Sequence, residues 1–258
     1  MGVIHGHGPV ARRRTRTIHY SATVVNMSQE SPGPGRPRRY DNSRRAAAAR
    51  DTRQRVVVAA ASLFSERGFA STSVRMIAER SGVSAETIYA GFGSKAAILQ
   101  AWIDVAAAGD DEEIALRDRA EMRAAVAEED PIEKIRIHLA TVRRINERVA
   151  VPMRVLRAAA LGDPELDAVL DENEHRRRTD VQDALDDVTA ATPLRDDLDR
   201  DVAVDLVLVL TSSETYHALV VESGWTPERY EAEMVGLLCH SAWGPSGPRP
   251  RSRPPTAT

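Results

Sequence analysis

The sequence predicts an all-α protein, a small N-terminal unit of short helices followed by a larger helical bundle. Three observations carry this. Apolar residues recur with the 3.6-residue period of a buried helix face between residues 56 and 238. Capping signals (Ser73, Ser84, Ser94, Asp163-Pro164 and Thr226-Pro227) stand where the runs begin. Aromatic residues make up only 4% of the 258 residues and glycines number fifteen, too few rings and turns for a β-sandwich or barrel.

Residues 1–43 are rich in Gly, Pro, Ser and Arg, show no period, and are expected to form a disordered leader or arm, with Met27 a candidate initiator. The first unit is expected at 44–105. Val56, Ala60, Leu63 and Phe64 make one face of its first helix, which Arg67-Gly68 ends. Ser73 opens a short second helix with Val74, Ile77 and Ala78 inward, and Gly82 stops it. Ser84 opens a third that turns Ile88 inward, and Ser94 a fourth with Ile98, Trp102 and Val105 as its buried stripe.

Through 106–243 the helices lengthen. Pro131 opens one whose stripe is Ile132, Ile135, Leu139, Val142 and Val149. Asp163-Pro164-Glu165 supplies a cap, a first-turn proline and an acidic first turn for the next, which carries Leu166, Val169, Leu170, Val181, Leu185 and Val188. The run 201–221 has strand-like β-branched content. It reads as one helix because Val202, Leu206, Val209, Ser213 and Tyr216 keep a helical period over more residues than strands usually reach. Thr226-Pro227-Glu228 begins the last helix, with Tyr230, Met234, Leu237 and Leu238. Residues 244–258 form a second polar tail.

Composition narrows the function classes. The longest apolar stretches, around Val202–Leu210, are far short of a membrane span. A lone Cys239 excludes a disulfide framework and a cysteine-clustered zinc site, and fits a reducing cytosol; no signal-peptide core precedes the first unit. The net charge of −3 conceals an asymmetry: twelve arginines against three acids in residues 1–55 give +9, while 104–243 carry −16. A basic start on an acidic body suggests a polyanion touched at one end. There is no GxSxG, phosphate-cradling Gly loop, HExxH or other set at ligand spacing, so neither a catalytic site, a metal site nor a cofactor is expected.

The informative segment is 74–93, VRMIAERSGVSAETIYAGFG. A helix-turn-helix needs a small residue where its helices cross, a residue tolerant of positive φ in the turn, and an apolar anchor beneath the second helix. Ala78, Gly82 and Ile88 supply the three at the right offsets. The wider stretch, with Leu63-Phe64, Glu66-Arg67-Gly68-Phe69, Thr72-Ser73-Val74, Ile77-Ala78, Gly82-Val83, Thr87-Ile88-Tyr89, Phe92 and Ser94-Lys95, closely resembles the DNA-binding domain of the TetR family of transcriptional regulators.

That resemblance implies roles position by position. Ser84–Ala90, including Ala85, Glu86, Thr87 and Tyr89, matches the recognition helix that enters the major groove. Thr87 and Tyr89 match phosphate- and base-contacting positions, Ser73 and Arg75 match contacts from the second helix, and Lys95 matches a phosphate-facing lysine at a helix start. Tyr89 is alternatively a core ring and Thr87 a solvated helix residue. The chain departs from the common pattern at Ala85 and Glu86, where a basic residue is usual. Attraction to DNA is then expected from arginines just ahead of the first helix: Arg44, Arg45, Arg50, Arg53 and Arg55.

The acidic body resembles the family's regulatory domain, which implies a small-molecule effector and a homodimer formed through about 199–243. His138, Asn146, Asn173 and Arg177 interrupt the inferred apolar stripes and are candidate pocket residues, with internal pairing as the alternative. The implied function is a cytoplasmic, sequence-specific binder of double-stranded operator DNA, a repressor released by its effector. The alternatives are a ligand-independent DNA-binding or adaptor protein and, remotely, an enzyme of unrecognised class.

Overall fold

The computed structural model describes residues 39–109, 125, 127–190 and 192–245, and every regular element among them is a helix. In chain order these are α1 (Arg39–Arg67), α2 (Val74–Ser81), α3 (Ala85–Phe92), α4 (Lys95–Ala108), α5 (Pro131–Ala160), α6 (Pro164–Thr189), α7 (Arg200–Leu210), α8 (Ser213–Tyr216) and α9 (Pro227–Trp243). A π-helical turn, His217–Glu222, continues α8. The leader up to residue 38 and the tail beyond 245 lie outside the described residues.

The caps read from the sequence form as local chemistry dictates. Ser73, Ser84 and Ser94 each accept a hydrogen bond from the backbone N–H three residues on, and Asp163 and Thr226 cap α6 and α9. Each such cap contributes about 1 kcal/mol by satisfying one of the amides a helix start leaves unpaired.

Two cores result. The first joins α1 to α4 through Val56, Phe64, Ile77, Ile88, Ile98 and Leu99, and also takes in Leu156 of α5 and Leu166 of α6. Each of these large side chains is essentially sealed from solvent, a burial that contributes roughly 1.5–3 kcal/mol apiece. The second core gathers Ile135 and Leu139 of α5, Val188 of α6, Tyr216 of α8 and Tyr230, Met234 and Leu238 of α9. Helix α4 packs on α1 and on α5, and it is α5 that contributes to both cores, through Leu156 in the first and Ile135 and Leu139 in the second.

Three expectations are corrected. The arginines expected ahead of the first helix lie on it, because the run Ala46–Ala49 has the highest helix propensity available and extends α1 to Arg39. Val105, expected inward, is 48% exposed; α4 is gripped on two sides and buries Ala96, Ile98, Leu99, Ala101 and Ile103 instead. The expected single helix over 201–221 breaks after Leu210, and its buried residues are Ala203 and Val204, leaving Val202, Leu206 and Val209 exposed.

The break has a local cause and a tertiary one. Locally, Ser212 caps a new helix by accepting from the Thr215 amide at 3.0 Å, while Thr211 Oγ1 donates back to the Val207 carbonyl at 2.7 Å. The carbonyls released at the end of α7 are then met from three other helices. Arg177 Nη2 of α6 donates to Leu208 O at 2.9 Å, Tyr230 Oη of α9 to Leu210 O at 3.0 Å, and Asn146 Nδ2 of α5 to Thr211 O at 3.0 Å.

Candidate DNA interface and effector cavity

Helices α2 and α3 meet through a turn closed by Gly82, whose φ of 68° is the left-handed conformation that favours glycine. Its amide donates to Ala78 O at 3.0 Å, as does that of Val83 at 3.3 Å, and Ser84 then caps α3. Ile88 is the single buried residue of α3 and Phe92 packs in part on the same core, which leaves Glu86, Thr87 and Tyr89 to the surface.

Surface placement follows from that one anchor. Tyr89 is 54% exposed, which excludes the core-ring alternative, and Ser73, Arg75, Ser84, Glu86 and Thr87 are exposed with it. Ala85 is half-buried. Arg75 pairs with Glu79 one turn on, at 3.0 Å. The Ser84 and Thr87 hydroxyls lie 3.0 Å apart, and the Glu86 carboxyl is held below the usual range by its own backbone amide and by Ser84. Arg50 is exposed on α1, and the Arg53 guanidinium lies 4.4 Å from the centroid of Phe92, against the end of α3.

Lys95 is more deeply engaged than its position on a helix start implied. Its ammonium donates to Phe69 O and to Thr72 O, each at 2.8 Å, and stands 4.0 Å from the Phe69 ring centroid. Burial pushes its pKa below the ordinary lysine value. Two of three N–H donors therefore secure the chain between α1 and α2, and one is left. Thr72, buried beside it, donates to Gly68 O at 2.9 Å and closes the end of α1.

Residues 56–102 match the model of the bacterial regulatory proteins of the tetR family. This segment carries a tetR-type helix-turn-helix. Solved structures agree on the fold. NalD of Pseudomonas aeruginosa, the secondary repressor of the MexAB-OprM multidrug efflux pump, is 17% identical, with a TM-score of 0.56 over 74% of this chain and 96% of its own. FadR of Bacillus subtilis, solved with stearoyl-CoA, is 17% identical (TM-score 0.55, 74% and 98% covered). GusR of Salmonella enterica is 21% identical (TM-score 0.53, 74% and 95% covered). No curated protein matches the chain.

Behind this TetR-type unit, α4 to α9 line an open-mouthed cavity of about 730 Å³, within the range of sites that take small molecules. All four residues picked from the interrupted stripes, His138, Asn146, Asn173 and Arg177, line it. Each also has a structural partner. Asn146 and Arg177 hold the end of α7, Arg177 donates further to Thr211 Oγ1 at 2.8 Å, and Asn173 Nδ2 donates to Gln100 Oε1 at 2.8 Å. His138 Nε2 lies 3.9 Å from Asp187 Oδ2. Pocket lining and internal pairing coexist.

Sequence reading missed the partners rather than the polar residues. Thr211, Gln100 and Tyr230 sit in ordinary helical stretches with nothing local to mark them, as does Arg148, whose guanidinium caps the end of α4 through Ala106 O at 2.7 Å and Ala107 O at 3.2 Å. No group of three or more potential metal-binding side chains assembles among the described residues, and no single helix there is long and apolar enough to cross a membrane.

Proposed function

We propose that this chain is a homodimeric repressor of the TetR family that leaves its operator when a small molecule fills the cavity between α4 and α9. One observation carries the reading: α4 is shared. Its Ile98 and Leu99 sit in the core of the DNA-binding unit, while its Ile103, Asp104 and Ala107 are part of the cavity wall. A ligand pressing on that wall acts on the helix whose first residue, Lys95, holds the carbonyls of Phe69 and Thr72 ahead of α2. Differential affinity of the ligand for two positions of α4 is all that release requires.

The DNA contacts follow the exposed face. Thr87, Tyr89, Ser84, Ala85 and Glu86 enter the major groove, Glu86 accepting from a cytosine amine, and Ser73, Arg75 and the remaining Lys95 donor meet phosphate or base edges. Arg50 and Arg53 on α1 extend the contact along the backbone. Dimerisation uses the exposed residues Val202, Leu206 and Val209 of α7 and Leu237 of α9, together with Val221 of the π-helical turn. Selection of duplexes from a random pool by the full-length chain tests the reading: a two-fold symmetric site should emerge, and its affinity should fall when a cavity ligand is added. Binding without sequence preference would overturn it.

A further inference from the structure

Among the described residues four arginines line the cavity, and three of them are committed. Arg157 bonds the carboxylates of Glu174 and Glu214, Arg176 pairs with Glu172 at 3.4 Å, and Arg178 pairs with Asp205 at 2.5 Å. Arg177 forms no ion pair among the described residues. Both of its hydrogen bonds leave from Nη2 and end on neutral acceptors, Leu208 O and Thr211 Oγ1, so Nε and Nη1 have no protein acceptor there. Burial pushes its guanidinium pKa down, which marks a charge whose solvation is incompletely replaced.

The lining carboxylates Glu214 and Glu174 offset the burial of Arg177 only through space, without bonding it. Glu174 and Glu214 are held by Arg157, Asp104 accepts from Gln100 Nε2 at 2.7 Å, and Asp180 has partners of its own. The cavity is also long and one-sided. Helices α5 and α6 run antiparallel, pinned by Arg157–Glu174 at one end and Lys134–Asp187 at the other. From Arg177 to Thr189 the α6 wall extends about 18 Å at 1.5 Å per residue. Val181, Leu185 and Val188 line it toward the far end, opposite Ile135 and Leu238. Among the described residues that end is lined by His138, beside Asp187, whose carboxylate already pairs with Lys134 at 2.8 Å, so it offers no cation comparable to Arg177.

Resting on the effector reading above, we infer that the cavity takes an elongated apolar molecule ending in a carboxylate, the carboxylate on Arg177 and the hydrocarbon toward Val188. A charge-assisted bond from a dehydrated guanidinium is what distinguishes such a ligand from its neutral analogue.

Decanoate, decanol and decylamine, titrated calorimetrically into the full-length chain, form the test. Decanoate should bind at least about tenfold tighter than decanol, with decylamine weakest. Arg177→Gln should bring decanoate down to the level of decanol and leave decanol unchanged, whereas Arg177→Lys should keep the preference. Because Arg177 also holds the end of α7, the wild-type ratio and the lysine variant decide the matter even where Arg177→Gln fails to fold. Equal or better binding of alcohol or amine, no binding of the acid up to its solubility limit, or an undiminished preference in a folded Arg177→Gln variant would each overturn the inference. Operator affinity at saturating decanoate separates the two proposals. Tight binding without loss of DNA affinity sinks the effector reading alone, and release by neutral compounds only sinks the ligand class alone.

Discussion

The Lys95 ammonium donates to the carbonyl of Thr72 at 2.8 Å, tying the start of α4 to the residue that precedes the α2 cap. The same ammonium holds Phe69 O, so one side chain fixes how α4 meets the loop that presents the helix-turn-helix. Lys95→Ala should therefore cost both stability and DNA affinity. Leaving two part-buried carbonyls unmet costs about 1–3 kcal/mol. Loss of the remaining donor to phosphate should reduce the magnitude of the log–log salt slope by about one per subunit. Melting curves and operator affinity at several salt concentrations read the two effects separately; an unchanged slope would confine Lys95 to its internal role.

Tyr89 gives a cleaner separation, because its ring is exposed and nothing in the core depends on it. Tyr89→Phe and Tyr89→Ala should both melt within about 0.5 kcal/mol of the wild type, as surface substitutions do. On the operator, Tyr89→Phe should lose about 1 kcal/mol with the hydroxyl, and Tyr89→Ala more, with a smaller loss on random DNA. A large drop in stability for Tyr89→Ala would contradict the exposure of the ring.

The end of α7 is held by donors from three helices, and removing one should be felt as an orphaned carbonyl. Asn146→Ala is expected to destabilise by about 1–3 kcal/mol and Tyr230→Phe by about 1 kcal/mol, measured by urea unfolding. Burial pushes the Tyr230 phenol up to about 12. A phenol raised in the fold adds stability that is complete below its unfolded pKa of about 10 and is lost as pH rises toward the folded value. The wild type should thus lose stability over that alkaline window more steeply than Tyr230→Phe.

Much of the DNA-binding unit was legible because its signals are local: Ser73, Gly82 and Ser84 fall within a dozen residues, and Ile88 is the one apolar anchor of its helix. The break in α7 was not. The stretch VAVDLVLVL is apolar on most faces, so its period cannot say which face turns inward, and the donors that stabilise the break stand 65, 31 and 20 residues away. For the same reason the four pocket residues were visible as interruptions of a stripe, while Thr211 and Gln100, which bond to them, were not. Expecting arginines ahead of α1 failed by under-weighting four consecutive alanines.

Asp187 sets an acid limit on the body. Lys134 Nζ donates to its Oδ1 at 2.8 Å, with His138 near its other oxygen. Burial alone raises the Asp187 pKa, but the proximity of His138 and the bond from Lys134 outweigh it and hold the carboxyl below its ordinary value. A carboxylate lowered in the fold adds stability that is present above its unfolded pKa of about 3.9 and lost as pH falls through the folded value. Asp187→Asn should cost about 1–3 kcal/mol at neutral pH and fall less steeply than the wild type below about pH 4, followed by urea unfolding across the acid range.

The outer side of α7 and α9 is the last test. Val202 is 49% exposed, Val209 64% and Leu237 46%, on helices whose other faces are buried in the bundle. Such a stripe loses little when a protomer stands alone, yet its burial against a second copy would follow the helix-on-helix packing of a bundle. Leu237→Arg places a charge at the middle of that contact without touching the core, since Met234 and Leu238 carry the inward face of α9. Sedimentation should show a monomer for Leu237→Arg, with thermal unfolding that no longer depends on protein concentration. Operator affinity should fall by far more than the variant's intact recognition helix would suggest, because a two-fold site rewards simultaneous occupancy of both halves. Val202→Arg, on α7, should act alike. A dimer persisting in both variants would place the interface elsewhere on the body; a monomer that still binds the full site as tightly would show that each protomer reads DNA alone.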